Sequence, residues 1–92
     1  PMPKSRWDLI FEGKAEKQFL KLPKNTQKRI LDYFDGRILH LKDPMVQANT
    51  LQGELHGLYR FRVGDHRIIT VKDQGRMVIV AVNIGHRREI YR

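Results

Sequence analysis

Two arginine-rich stretches hold the side chains of this 92-residue chain that are best suited to chemistry. One, YRFRVGDHR, begins at Tyr59, and the other, GHRREIYR, begins at Gly85. Arginine binds phosphate through paired hydrogen bonds and stabilises negative charge that develops in a transition state. The second stretch adds His86, which can exchange protons near neutral pH, and Tyr91, which can stack on a base or contact a phosphate oxygen. These residue types predict chemistry on an anionic partner.

The first stretch predicts a β-hairpin with two arginines facing each other. Gly64-Asp65 is a typical two-residue loop. Such a loop pairs Val63 with His66, Arg62 with Arg67, Phe61 with Ile68 and Arg60 with Ile69. Like charges directly opposite destabilise a strand pair, so an anion bound at this face is the functional interpretation. The alternative is a set of hydrated arginines on an open sheet face, and a one-residue slip would reverse every side chain.

The second stretch follows an apolar strand predicted at residues 77–84. If the last strands follow one another in chain order, Arg87, His86 and Tyr91 come to the rim of the arginine face. Taken singly, His86 could be a surface histidine and Tyr91 could pack against the sheet. The four histidines are scattered and no acidic pair has a ligand-like spacing, so we expect no metal and no cofactor.

The rest of the sequence predicts the elements that hold these strands. Residues 7–11 are a candidate strand, and 14–22 carry apolar residues at helical spacing. Asn25 or Thr26 is expected to cap a second helix that runs as far as Asp43-Pro44, with a possible bend at Gly36. Residues 45–57 read as irregular, and strands are predicted at 58–63, 66–71 and 77–84. The helical hairpin needs a sheet to cover its apolar face.

Composition limits the class of protein. The chain is one domain, residues 1–92, and its formal charge of +8 favours a polyanionic partner such as nucleic acid, an acidic protein or a membrane surface. It has no cysteine and no apolar run of the ~18 residues that a spanning helix needs. With no signal-like start, these features favour a cytoplasmic protein without membrane association.

The order and spacing of these motifs resemble the RelE/ParE toxin superfamily over nearly the whole chain. The similar segments are GKAEKQFLKLPKNTQKRILDYF, the Leu51-Gln52-Gly53 stretch, YRFRVGDHRI and GHRREIYR. The resemblance implies an α+β fold, in which an N-terminal strand and a helical hairpin pack on an antiparallel-rich sheet. For the RelE branch it implies the toxin of a type II toxin–antitoxin system, an endoribonuclease that cuts mRNA in the ribosomal A site. The nucleophile is the substrate's own 2′-hydroxyl, without a metal.

The resemblance also implies roles for individual residues. Arg60 and Arg62 match basic strand positions, and Arg67 matches a phosphate-binding arginine. Arg87 matches the arginine that serves the leaving group, and Tyr91 matches the tyrosine that orients the substrate. The residues expected to bind RNA are Arg60, Arg88 and Arg92. Where the RelE pattern has a lysine, often assigned as general base, this chain has Arg62, which stays protonated. The role of base could pass to His86, to Tyr91 or to no residue.

The resemblance implies partners and leaves alternatives open. A cognate antitoxin would neutralise the toxin, and operator DNA would be bound only through the toxin–antitoxin complex. One alternative is a ParE-like toxin that binds gyrase and has no nuclease activity. Another is a non-catalytic nucleic-acid-binding relic silenced by Arg62.

Overall fold

The computed structural model describes residues 6–86, which form two helices packed on one face of a five-stranded sheet. The sheet order is β1-β5-β4-β3-β2; β1 runs parallel to β5, and the other neighbours are antiparallel. The predicted α+β class is confirmed. In chain order the elements are β1 (Asp8–Phe11), α1 (Lys14–Lys21), α2 (Lys24–Arg37), β2 (Asn49–Thr50), β3 (Tyr59–Val63), β4 (His66–Asp73) and β5 (Val78–His86).

The core lies between the helices and the sheet. Ala15 and Phe19 of α1 and Ile30 and Phe34 of α2 are buried there, because apolar residues at helical spacing form one face of each helix. The ring of Phe34 meets Phe61 of β3 edge-on at 5.0 Å between centroids. Burying each large apolar side chain contributes about 1.5–3 kcal/mol, so this interface holds the sheet in place.

The second helix differs from its prediction at both ends. It begins at Lys24 with Pro23 as its N-cap, so Asn25 and Thr26 lie inside the first turn and do not cap it. It ends at Arg37, before the predicted stop at Asp43-Pro44. Past this point the Leu39 N–H bonds back to the Phe34 carbonyl, and the Leu39 carbonyl accepts from the backbone N–H groups of residues 6 and 7, so the helical bonding pattern is not continued.

The turn between the helices is closed by a side chain. Gln27, which is buried, donates from Nε2 to the carbonyls of Leu20 and Leu22 at 3.4 and 2.9 Å. The last carbonyls of a helix have no partner within the helix, so this amide satisfies groups that would otherwise need water. It holds α1 and α2 as one unit against the sheet.

The segment predicted as irregular contains three short elements. A 3₁₀ helix spans Pro44–Gln47, where the Asp43 carboxylate accepts from the Met45 N–H at 3.1 Å. A second 3₁₀ helix spans Gly53–Leu55. Between them β2 pairs with the start of β3 and extends the sheet by one edge strand.

Candidate nucleic-acid interface

The β3–β4 hairpin has the predicted register. Arg62 is paired with Arg67, Val63 with His66, Phe61 with Ile68 and Arg60 with Ile69. Gly64 makes the loop possible because its φ of 61° lies in the left-handed region, which glycine adopts at little cost. The expectation that a two-residue loop opposes two arginines is therefore confirmed.

The three strand arginines lie on the face of the sheet that points away from the helices. Phe61 and Val63, which alternate with them, are buried in the core, so Arg60 and Arg62 must point the other way. Arg62 is exposed, whereas Arg60 and Arg67 are half-buried and their Nε atoms are shielded from solvent. We call this surface the arginine face; it combines two cations held close to the sheet with a third that reaches into solvent.

Residues on the arginine face form rows across the three central strands. The first row is Arg62 of β3, Arg67 of β4 and Gly85 of β5. The second row is Arg60, Ile69 and Asn83. A step of two residues along a strand is about 7 Å, so the second row lies roughly that far from the first. The first row thus carries two charges, and the second carries one charge beside an apolar and an amide side chain.

A β-bulge in β5 decides which face the end of that strand presents. Ile69 pairs with Asn83 and Thr70 pairs with Ala81, so Val82 is an extra residue without an opposite partner. Because of this extra residue, the alternation of side chains is reversed beyond it. Ile84 consequently joins the buried core.

The bulge places His86 away from the arginines. His86 pairs with His66, which itself pairs with Val63 on the helix side of the sheet. The two imidazole rings meet edge-on at 5.9 Å between centroids. The expectation that His86 joins Arg62 and Arg67 at one rim was wrong, and the reason is the register shift at Val82. Its position gives it no direct access to a phosphate held by those arginines.

A pair of amide side chains secures the free edge of β5. The parallel strand β1 pairs with β5 only as far as Ala81, and Gln18 of α1 lies beside the part that follows. Its Oε1 atom accepts from the Ile84 N–H at 2.7 Å, and its Nε2 atom donates to Oδ1 of Asn83 at 3.0 Å. Gln18 thus takes the place of a neighbouring strand. Asn83 is the one polar residue in the apolar run 77–84, and nothing in the sequence pattern marks Gln18.

Four predicted site residues lie outside the described residues: Arg87, Arg88, Tyr91 and Arg92. Their roles stay predictions from the family resemblance. The described part of the site is therefore Arg60, Arg62 and Arg67, which the sheet brings together, while His86 lies on the other face.

Comparison with known proteins identifies the family. The family model of the ParE toxin of type II toxin–antitoxin systems matches residues 9–91. The chain belongs to the RelE/ParE toxin superfamily. It is a toxin of a type II toxin–antitoxin system. No curated protein is significantly similar to the chain in sequence.

Solved structures share the fold of this toxin. The RelBE2 toxin–antitoxin complex of Mycobacterium tuberculosis matches with a TM-score of 0.77 and 21% identity, over 95% of this chain and 98% of that chain. The archaeal RelE–RelB complex of Pyrococcus horikoshii matches with a TM-score of 0.69 and 25% identity, over 91% and 98%. The intact RelBE complex of E. coli matches with a TM-score of 0.69 and 20% identity, over 87% of this chain and 95% of that chain.

The ion pairs of the toxin that involve Asp32 and Asp73 lie away from Arg62 and Arg67. Lys28 contacts Asp32 within α2 at 2.6 Å, and Arg76 contacts Asp73 at the β4–β5 turn at 2.7 Å. The hydrogen bond from Arg76 holds the pKa of the Asp73 carboxyl below its ordinary value. These pairs stabilise local geometry and leave the charge of Arg62 for other contacts.

Two further observations concern the part of the toxin that the structure describes. Residues 6–86 contain no group of three or more histidine or acidic side chains placed to hold a metal ion. Neither helix in that range is long and apolar enough to cross a membrane.

Proposed function

We propose that the toxin is a ribosome-dependent mRNA endonuclease. The observation that carries this proposal is the opposed pair Arg62 and Arg67, with Arg60 beside it, on a face that the helices leave uncovered. Two guanidinium groups opposite each other on one face can hold the same phosphate, each through charge-assisted hydrogen bonds. The formal charge of +8 favours the same class of partner, a polyanion.

The reaction follows from the substrate's own chemistry. The 2′-hydroxyl of one nucleotide loses its proton and its oxygen attacks the adjacent phosphorus; the bond from phosphorus to the 5′-oxygen of the next nucleotide breaks and that oxygen takes up a proton. Negative charge builds on the phosphoryl oxygens, and Arg62 and Arg67 stabilise it there. Arginine stays protonated, so Arg62 holds charge and does not accept the proton.

The family resemblance supplies the remaining roles. Arg87 serves the leaving oxygen and Tyr91 orients the substrate, while Arg88 and Arg92 contribute to RNA binding. His86 lies across the sheet from the arginine pair, which argues against its acting as the base. We therefore assign proton removal to Tyr91 or to no protein group, and the nucleophile needs no metal.

A translation reaction that contains the purified toxin tests this function. We expect new mRNA 5′ ends inside the codon that occupies the ribosomal A site, and none on the same mRNA without ribosomes. Ends that appear equally without ribosomes would contradict ribosome dependence. A complete absence of new ends, with translation unaffected, would contradict the nuclease itself.

A second candidate function is a ParE-like toxin that acts on DNA gyrase. The match of residues 9–91 to the ParE family model favours it. Such a toxin needs a surface that binds gyrase, and it does not need catalytic arginines that converge on one site. A supercoiling reaction with purified gyrase separates the two functions: inhibition without mRNA cleavage would establish this candidate in place of the nuclease.

We also propose that an antitoxin neutralises the toxin, as the RelBE2 and RelE–RelB complexes indicate for their own chains. Given the charge of +8, its toxin-binding segment should be acidic and should fold as it wraps the domain. Affinity should fall as salt is raised. Operator DNA would be bound through the toxin–antitoxin complex, and the site of action would be the cytoplasm.

A further inference from the structure

A cavity of about 240 Å³ lies on the arginine face next to the second row of residues. Ile69, which is paired with Arg60, is one of its lining residues and is only 5% exposed. The wall is mostly apolar and carries two polar groups; its residues are Leu51, Leu55, Leu58, Ile69, Val82, Lys14 and Asn83. Sites for drug-sized ligands start at about 300 Å³, so this cavity suits a single flat ring system.

The hydrogen bonds of Gln18 fix which polar atom Asn83 offers to this cavity. The Ile84 N–H is a donor, so the atom of Gln18 that contacts it must be the acceptor Oε1. The other amide atom of Gln18 is then the donor Nε2, and it contacts Oδ1 of Asn83. The atom of Asn83 that this chain of bonds leaves for a ligand is Nδ2, which is a donor.

The position of the cavity relates it to the bound RNA. The first row, Arg62 and Arg67, lies about two residues along the strands from Ile69, a step of about 7 Å. A base attached to the sugar next to a phosphate on that row can reach the cavity. We propose that the cavity is a base-binding subsite that selects guanine, through Asn83 and Lys14. This inference rests on the proposed nuclease function for its role in catalysis.

The donor set favours guanine over the other bases. Guanine presents two adjacent acceptors, O6 and N7, to the Nδ2 of Asn83 and the ammonium of Lys14. Adenine carries an amino donor where guanine has O6, so a donor would face a donor. Cytosine also has adjacent acceptors, but its single ring covers less of the wall formed by Leu55 and Ile69. Leu55 is 41% exposed in the free toxin, and a bound ring would cover it.

The substitution Asn83→Asp tests the proposal without removing the side chain. The carboxylate still accepts from Gln18, but it offers the cavity an acceptor in place of Nδ2. On ribosomes that present codons differing only by guanine or adenine, the wild type should cut the guanine codon about tenfold faster. In Asn83→Asp that ratio should fall to about one. Gln74→Glu, the same chemical change in the exposed β4–β5 turn, is the matched control and should keep the wild-type ratio.

A binding measurement keeps this inference separate from the nuclease function. In an NMR titration of the toxin, GMP should change the chemical shifts of the Asn83 side-chain amide at a clearly lower concentration than AMP does. Equal shifts by the two nucleotides, or a wild-type codon ratio in Asn83→Asp, would overturn guanine selection. If ribosomal cleavage is absent but GMP still binds preferentially, the nuclease function fails and the subsite stands.

Discussion

Arg62 and Arg67 lie directly opposite each other on neighbouring strands, joined by a loop of only two residues. Val63 and Ile68, their neighbours in the chain, are buried in the core, so neither arginine can turn to the other face without loss of packing. The fold therefore holds two like charges side by side on one face. A phosphate between them is attracted to both guanidinium groups, which is why the pair is central to the proposed site.

Arg67→Ala should reduce mRNA cleavage on ribosomes by about 10²–10³-fold, because one well-placed group that stabilises transition-state charge is worth that much. Single-turnover cleavage of programmed ribosomes measures the effect. Arg76→Ala removes an arginine at the far turn of the sheet and should cut within about threefold of wild type. Equal rates for wild type and Arg67→Ala would show that this arginine does not serve the reaction.

Arg62→Lys separates charge stabilisation from proton removal. Lysine keeps the charge but loses the planar fork that holds phosphate through two hydrogen bonds, so the cleavage rate should fall modestly. Lysine can also lose its proton when neighbouring cations lower its pKa, which arginine cannot realistically do. Single-turnover rates measured across a pH series distinguish the two roles. A gain in rate that grows with pH would show that this position works best as a base.

The arginine pair could be foreseen from sequence because local rules fix it. Gly64-Asp65 sets the loop length, and the alternation around Phe61 sets the faces. The direction of His86 could not be foreseen in the same way. In a regular strand every second residue after Val80 would lie on the arginine face, and His86 would be one of them. Only the bulge at Val82 turns His86 to the other side. Nothing in an apolar strand marks which residue will be the extra one.

Contacts between distant segments account for the other differences. The second helix ends at Arg37, and the Leu39 carbonyl that follows accepts from the N–H groups that lead into β1. The strand β2 has two residues, which is too short for an alternation to show. Gln18 reaches Asn83 and Ile84 across more than sixty positions in the chain. Such contacts depend on the assembled fold, so the cavity beside Asn83 had no signature in the sequence.

The hairpin loop should be intolerant of a side chain at its glycine. In Gly64→Ala the new methyl group would lie 3.0 Å from the guanidinium of Arg29, and the residue would keep a left-handed φ of 61°. The left-handed conformation alone costs about 1–2 kcal/mol of unfolding free energy. Gly36→Ala is the matched control: it lies in α2 with open space around it and should stabilise the toxin by up to about 1 kcal/mol.

Urea denaturation of both glycine variants measures these free energies. Gly64→Ala should lower the free energy of unfolding, and Gly36→Ala should raise it. A Gly64→Ala toxin as stable as the wild type would mean that the loop can adopt another conformation, and the register of Arg62 and Arg67 would then have to be reconsidered.

The contribution of the β4–β5 turn to the stability of the toxin should depend on pH. Asp73 accepts hydrogen bonds from the N–H and the Nε of Arg76, at 3.2 and 2.7 Å, and its pKa in the folded toxin is lowered. A lowered folded-state pKa stabilises the fold above the ordinary carboxyl pKa, and this contribution is lost as pH falls below about 4. Asp73→Asn should therefore lower the melting temperature slightly at pH 7 and much less at pH 3.

Thermal unfolding at several pH values measures this difference, and Arg76→Gln should reproduce it because it removes the other partner. A gap between wild type and Asp73→Asn that is the same at pH 3 and pH 7 would contradict the contribution of the charged carboxylate.

The most direct test compares the wild type with the double variant Arg62→Ala/Arg67→Ala on ribosomes that hold a defined codon in the A site. The measurement is the set of mRNA 5′ ends after a single turnover, with a denaturation curve to verify that the variant is folded. The wild type should produce ends within that codon, and the folded double variant should produce almost none. Identical ends from both proteins, or none from the wild type while it inhibits gyrase, would contradict the assignment of the arginine face as an RNA-cleaving site.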